Sequence, residues 1–124
     1  HLEQRVLFLE GVSFTDLPAL YQQATLFLYP SQFEGFGIPI LEALCSGIPV
    51  IAATGSCLEE AGGPDSIYVD PKDEQALAAA INHLLQHPEQ CSRMIQAGRA
   101  FAASFTEEHH ADSLMQLYRA LAGK

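Results

Sequence analysis

Apolar residues along this chain fall into two patterns. Four short continuous runs, Val6-Leu7-Phe8-Leu9, Leu26-Phe27-Leu28-Tyr29, Pro49-Val50-Ile51-Ala52-Ala53 and Ile67-Tyr68-Val69, do not alternate with polar residues. Unbroken runs of this length predict strands covered on both faces, as in a parallel sheet. Between the runs, apolar residues recur at helical spacing. Asp16 is placed to cap a helix through about Ala24, with Leu17, Leu20 and Tyr21 inward. Pro39 near the start and Gly47 just past the end bracket a helix from Ile38 to Ser46. A further helical turn over Leu58–Ala61 is broken by Gly62-Gly63-Pro64.

The second half of the chain predicts helices alone. Asp73 caps a segment whose Leu77, Ile81, Leu84 and Leu85 share a face. Pro88 opens the next, with Cys91, Met94, Ile95 and Gly98 on one stripe. Thr106 caps the last, which carries Ala111, Leu114, Met115, Tyr118 and Leu121. Strand and helix alternating, then helices, predicts an α/β domain with about four parallel strands and a helical C-terminal part. His1 stands directly before the first run. Four strands with an open edge make a small sheet for this class. The expectation is therefore a chain truncated on its N-terminal side.

The 124 residues suit one domain, and 48 % apolar content argues against disorder. No apolar run approaches the roughly 20 residues of a membrane span. The three cysteines, Cys45, Cys57 and Cys91, have no CxxC pairing and sit among apolar neighbours. They are expected as buried thiols in a reducing cytoplasm. A net charge of −9 disfavours nucleic acid and anionic membrane as partners. The cations are also unevenly placed: no Lys or Arg lies between Arg5 and Lys72.

The candidate chemistry lies in that gap. The run Tyr29-Pro30-Ser31-Gln32-Phe33-Glu34-Gly35-Phe36-Gly37-Ile38-Pro39-Ile40-Leu41-Glu42 follows a predicted parallel strand and opens a helix. Ligands of open α/β sheets bind outside the carboxyl ends of the strands. Gly35 and Gly37 permit positive φ and a close backbone approach. The helix beginning near Ile38 presents free N–H groups and partial positive charge, which suits a diphosphate. Glu42, one turn in, leans back toward the helix start and can accept the two hydroxyls of a ribose diol. Glu34, ahead of the glycines, can accept hydroxyls of a sugar on the far side of the phosphates. Two carboxylates beside a diphosphate repel it, and a helix N-terminus offers only about half a charge. Cations from elsewhere must help.

With seven residues between Glu34 and Glu42, the run Tyr-Pro-Ser…Glu-Gly-Phe-Gly-Ile-Pro…Glu-Ala resembles the retaining glycosyltransferases of the GT-B group 1 class (family 4). The resemblance covers nearly the whole chain. Val6–Val12 resembles the family's strand and Gly turn, with Glu10 inserted before the Gly. Asp16-Leu17-Pro18 and Tyr21 match its next helix. Ala43-Leu44-Cys45-Ser46-Gly47-Ile48-Pro49-Val50-Ile51-Ala52 and Val69-Asp70-Pro71 match later stretches. Leu58-Glu59-Glu60 departs from the family's Pro-Glu-Val.

The resemblance implies a Rossmann-like three-layer domain, the C-terminal sugar-nucleotide-binding half of a two-domain enzyme, spanning residues 1–124. It implies that Glu34 contacts the transferred sugar as the catalytic residue. Gly35, Phe36, Gly37 and Ile38 would face sugar and phosphates, Glu42 the ribose, and the turn at Gly11 the base. An Arg and a Lys of the family's upstream strand and helix would meet the diphosphate, which accounts for the cation gap. No cofactor or metal is implied, so His83, His87, His109 and His110 are expected to be solvated. The implied partners are a nucleotide-sugar donor and, through the other domain, a saccharide, lipid or small-molecule acceptor. The implied location is cytoplasmic, with any peripheral membrane contact made by that other domain. The isolated chain is expected to be inactive. A glycoside hydrolase using Glu34 and Glu42 as acid and nucleophile is disfavoured, because the glycines between them build an anion site rather than a saccharide cleft. The alternative is a non-catalytic nucleotide-binding regulatory module.

Overall fold

The computed structural model describes residues 2–123. Three parallel strands form one sheet in the order β1-β2-β3: β1 (Phe27–Tyr29), β2 (Val50–Ala53) and β3 (Ile67–Val69). Phe27 pairs with Val50, and Ile51 with Ile67. Six α-helices surround them: α1 (Leu17–Gln23), α2 (Ile38–Ser46), α3 (Leu58–Gly62), α4 (Glu74–Gln86), α5 (Pro88–Ala102) and α6 (Glu107–Ala122).

Every residue of the central strand β2 is buried. Val50 and Ala52 join one apolar cluster with Ile40, Ala43, Leu44 and Leu58, from α2 and α3. Ile51, between them, joins a second cluster with Leu84 and Met94, from α4 and α5. Successive strand residues point to opposite faces. The two clusters are therefore the two sides of a covered sheet, which is why the run at positions 49–53 shows no polar alternation.

α2 is the helix on which the site depends, and its bounds are those expected from Pro39 and Gly47. Gly47 closes it at φ +78, with its N–H donated to the Leu44 carbonyl at 3.0 Å and the Ile48 N–H to the Ala43 carbonyl at 3.1 Å. That is the Schellman pattern of a glycine-ended helix. α5 packs on α2 where Gly98 removes a side chain: a Cβ there would stand 2.6 Å from Leu44 Cδ2.

Several expectations are corrected. The Val6–Leu9 run forms no strand; Leu7 and Phe8 are 80 % and 86 % exposed. A strand exists only through its ladder, and among the described residues no ladder bond reaches this segment. The sheet has three strands rather than four. Leu20 and Leu85 are exposed rather than inward. Asp16 makes no side-chain cap, its carboxylate being taken by the Ser13 hydroxyl at 2.8 Å. Asp73 and Thr106 do cap, accepting from Ala76 N at 2.8 Å and His109 N at 3.1 Å. The stripe of α6 is no correction: it leaves an exposed apolar patch, as a face meant for another domain would, with Tyr118 and Leu121 about 60 % exposed. The thiols are not buried as a set: Cys45 is exposed, and Cys57 and Cys91 are half-buried.

Candidate functional site

The Glu34–Glu42 run leaves the carboxyl end of β1, crosses a short irregular loop and enters α2. Gly37 is the residue before the helix. It sits at φ +110 and is buried, and a Cβ there would lie 2.8 Å from Leu58 Cδ2 and 3.2 Å from Ala61 Cβ. Backbone hand and packing against α3 both demand glycine at this position. Gly35 differs from expectation: it is not among the glycines with positive φ, and nothing lies within 4 Å of its would-be Cβ. Its lack of a side chain answers to no contact within the described residues.

The helix start holds fewer free donors than an ordinary one. Pro39 has no N–H, and the Ile40 N–H is donated to the Gly37 carbonyl at 2.9 Å. The amides left to meet an anion are those of Gly37, Ile38 and the loop before them. Ile38 itself is 62 % exposed.

Each candidate carboxylate is held by a tyrosine. Tyr29, the last residue of β1, donates its hydroxyl to Glu34 Oε1 at 2.8 Å. Tyr21, on α1, donates to Glu42 Oε2 at 2.9 Å. The Tyr29 bond, helped by the Ser31 hydroxyl, keeps Glu34 below the usual carboxylate range. The same bond, then burial, pushes the Tyr29 phenol up. Burial, then the Glu42 bond, pushes Tyr21 far above the ordinary phenol range. The phenols thus stay protonated donors while the carboxylates accept. The Glu34 carbonyl also accepts from Cys57 Sγ at 3.3 Å, tying the loop to the start of α3.

An open cavity of about 370 Å³ lies between α1 and α2, lined by Phe14, Leu17, Tyr21, Glu42 and Cys45 among others. Glu42 faces it; Glu34 and the glycines do not line it. Gly11 has the positive φ of a Gly turn, +69, but is exposed and is not part of the cavity wall. Beyond β2, Glu59 Oε1 accepts from Thr54 Oγ1 at 2.7 Å and from the Gly55 N–H at 2.9 Å. These bonds, the Gly55 amide first, hold the Glu59 carboxyl below the usual carboxylate range. His83 and His87 stack at 4.1 Å, and each ring has a polar partner, Gln90 Oε1 and the His83 carbonyl.

Residues 1–101 match the family described as glycosyl transferases group 1. The chain belongs to that family. It is 36 % identical over 116 residues to an O-antigen chain mannosyltransferase of Escherichia coli, covering 94 % of this chain and 30 % of that protein. Its structure resembles sucrose-phosphate synthase from Thermosynechococcus elongatus, with a TM-score of 0.83, 33 % identity, and coverage of 98 % of this chain and 31 % of the other. It also resembles the C-terminal domain of a group 1 glycosyltransferase protein of Francisella tularensis, with a TM-score of 0.69, 25 % identity, and coverage of 81 % and 51 %. The chain therefore spans about a third of the length of the full relatives it matches.

In this group 1 glycosyltransferase chain, the residues missed by sequence reasoning are the partners of the carboxylates. Tyr21 was readable only as an inward helix residue and Tyr29 as a strand end. Tyr21 and Glu42 are 21 residues apart on different helices, and the Tyr29–Glu34 bond, though only five residues long, depends on the conformation of the irregular loop after β1, which shows no periodicity. Glu59 stood out only as part of Leu58-Glu59-Glu60, the stretch that departs from the family's Pro-Glu-Val, and its place as a clamp on the loop after β2 required the fold.

Proposed function

We propose that this chain is the C-terminal, donor-binding half of a retaining glycosyltransferase. The parent protein transfers a glycosyl unit from a nucleoside-diphosphate sugar to a saccharide, lipid or small-molecule acceptor. The observation that carries the reading is the pair Glu34 and Glu42 on either side of the Gly37-capped start of α2, each oriented by its own tyrosine. Glu34 is assigned to hydroxyls of the transferred sugar. Glu42, facing the cavity between α1 and α2, is assigned to the ribose, and the turn at Gly11 to the base. The amides of Gly35, Phe36, Gly37 and Ile38 are assigned to sugar and phosphates.

Departure of the nucleoside diphosphate builds negative charge on its phosphate while the anomeric carbon becomes cation-like. Stabilising both charges is the main task of such a site. The start of α2 supplies part of the phosphate's share, and cations from another part of the protein supply the rest, since none lies between Arg5 and Lys72. Glu34 orients the sugar. No metal or cofactor is assigned, and the location assigned is cytoplasmic. Among the described residues, no helix is long and apolar enough to cross a membrane.

The test is a panel of sugar nucleotides offered to the full-length protein, read by product mass and anomeric configuration, with and without a chelator. Transfer with retention, unaffected by the chelator and lost in Glu34→Gln, is expected. The absence of any glycosyl product across the panel, or transfer by the isolated 124 residues, would overturn the assignment.

A further inference from the structure

Phe36 is the large side chain between the two glycines of the donor loop, and it is braced from behind. Its ring centroid lies 6.0 Å from that of Phe105, tilted by 53°. Phe105 in turn lies 5.2 Å from Phe101, tilted by 60°. Tilted pairs at these separations are favourable beyond the area they bury. Phe101 is a firm support: it sits in the last turn of α5, packs on the main apolar cluster and fills the space that a Cβ at Gly63 would need.

Phe105 is placed differently from its neighbours. It is 45 % exposed, so it is not a core residue. It stands directly before Thr106, the cap of α6. A residue there often packs on the fourth helical position, but here that position is His110. The Phe105 ring turns instead to Phe36. No residue of α6 is buried, so this ring is where the start of the last helix meets the loop.

We infer that Phe105 is a positioning residue for the donor loop; this rests on the reading of that loop given above. A loop with glycine on either side of one residue has much conformational freedom to lose when it orders around a ligand. The loop is anchored at Glu34 by Tyr29 and Cys57. The Phe101–Phe105–Phe36 stack anchors it two residues later and holds the Gly35–Ile38 amides ready. It also makes the loop responsive to the place of α6.

The experiment compares Phe105→Ala and Phe105→Tyr with the native full-length protein, by donor kinetics and by hydrogen exchange of the peptide spanning positions 33–38. Phe105→Ala is expected to raise the donor KM and speed loop exchange by about threefold to tenfold each, the range that one aromatic pair supports. The turnover number should change little, and Phe105→Tyr should restore both readings. Unchanged loop exchange in Phe105→Ala overturns the inference, whatever the kinetics do. If Phe105→Ala does not fold, Phe105→Leu is judged by the same two readings, with a smaller shift in the same direction expected. If the native protein transfers no sugar at all, the donor reading fails, while loop exchange still decides whether Phe105 holds Phe36.

Discussion

The Tyr29 hydroxyl donates to Glu34 Oε1 at 2.8 Å, and this bond is the largest cause moving the two groups' pKa values in opposite directions. Glu34 is lowered, so the stability from its charged form is present above the ordinary carboxylate range and is lost as pH falls through the lowered value. Tyr29 is raised, so the stability from its neutral form is present below the ordinary phenol range and is lost as pH rises through the raised value. Tyr29→Phe should remove the phenol's titration and the larger part of the Glu34 effect, leaving the part due to the Ser31 hydroxyl. A carbon-13 NMR titration between about pH 2 and 6 should show Glu34 moving up toward the usual carboxylate range in that variant. An unmoved Glu34 would mean that the hydroxyl is not its controlling partner.

Tyr21 likewise donates its hydroxyl to Glu42 Oε2, at 2.9 Å. Tyr21→Phe keeps the ring that packs on Phe27, with centroids 5.4 Å apart, and deletes only the donor. In the full-length protein the donor KM should rise by roughly tenfold, the scale of one hydrogen bond to a charged group. The turnover number should change much less, because the ribose is remote from the reacting bond. A fall confined to the turnover number would contradict the assignment of Glu42.

The two glycines of the loop should respond in opposite ways to the same change. Gly37→Ala places a methyl group 2.8 Å from Leu58 Cδ2 at a φ of +110, and should cost roughly 3 kcal/mol of stability in urea unfolding. Gly35→Ala meets nothing within 4 Å and should leave the unfolding midpoint unchanged while weakening donor binding. Equal destabilisation by both would show that Gly35 serves the fold instead.

Glu59 clamps the loop after β2 through Thr54 Oγ1 and the Gly55 N–H. Glu59→Ala should speed exchange of the Gly55 amide by several-fold, and Glu59→Gln, which keeps an acceptor oxygen, should do so less. Because Glu59 is lowered by these bonds, the clamp should also loosen as pH falls through its depressed value. Exchange at Gly55 that ignores both substitutions would remove Glu59 from this role.

The sequence by itself determined the helices and the covered strands, because their signals are local. Pro39 and Gly47 bound α2, Asp73 and Thr106 cap α4 and α6, and the unbroken run at positions 49–53 is a strand buried on both faces. It also marked Glu34 and Glu42 as the candidate pair, because their spacing across a glycine turn is a property of the chain alone. Whether Val6–Leu9 is a strand was not local, since a strand needs a neighbour to pair with, and that run has none among the described residues. Only the tertiary structure decided which tyrosine meets which carboxylate, why Gly37 has no room for a side chain, and that Phe105 reaches Phe36 across 69 positions. All but the short Tyr29–Glu34 bond are contacts between elements, set by how the helices and loops pack, and that bond is set by the irregular loop after β1, so no periodicity along the chain encodes them.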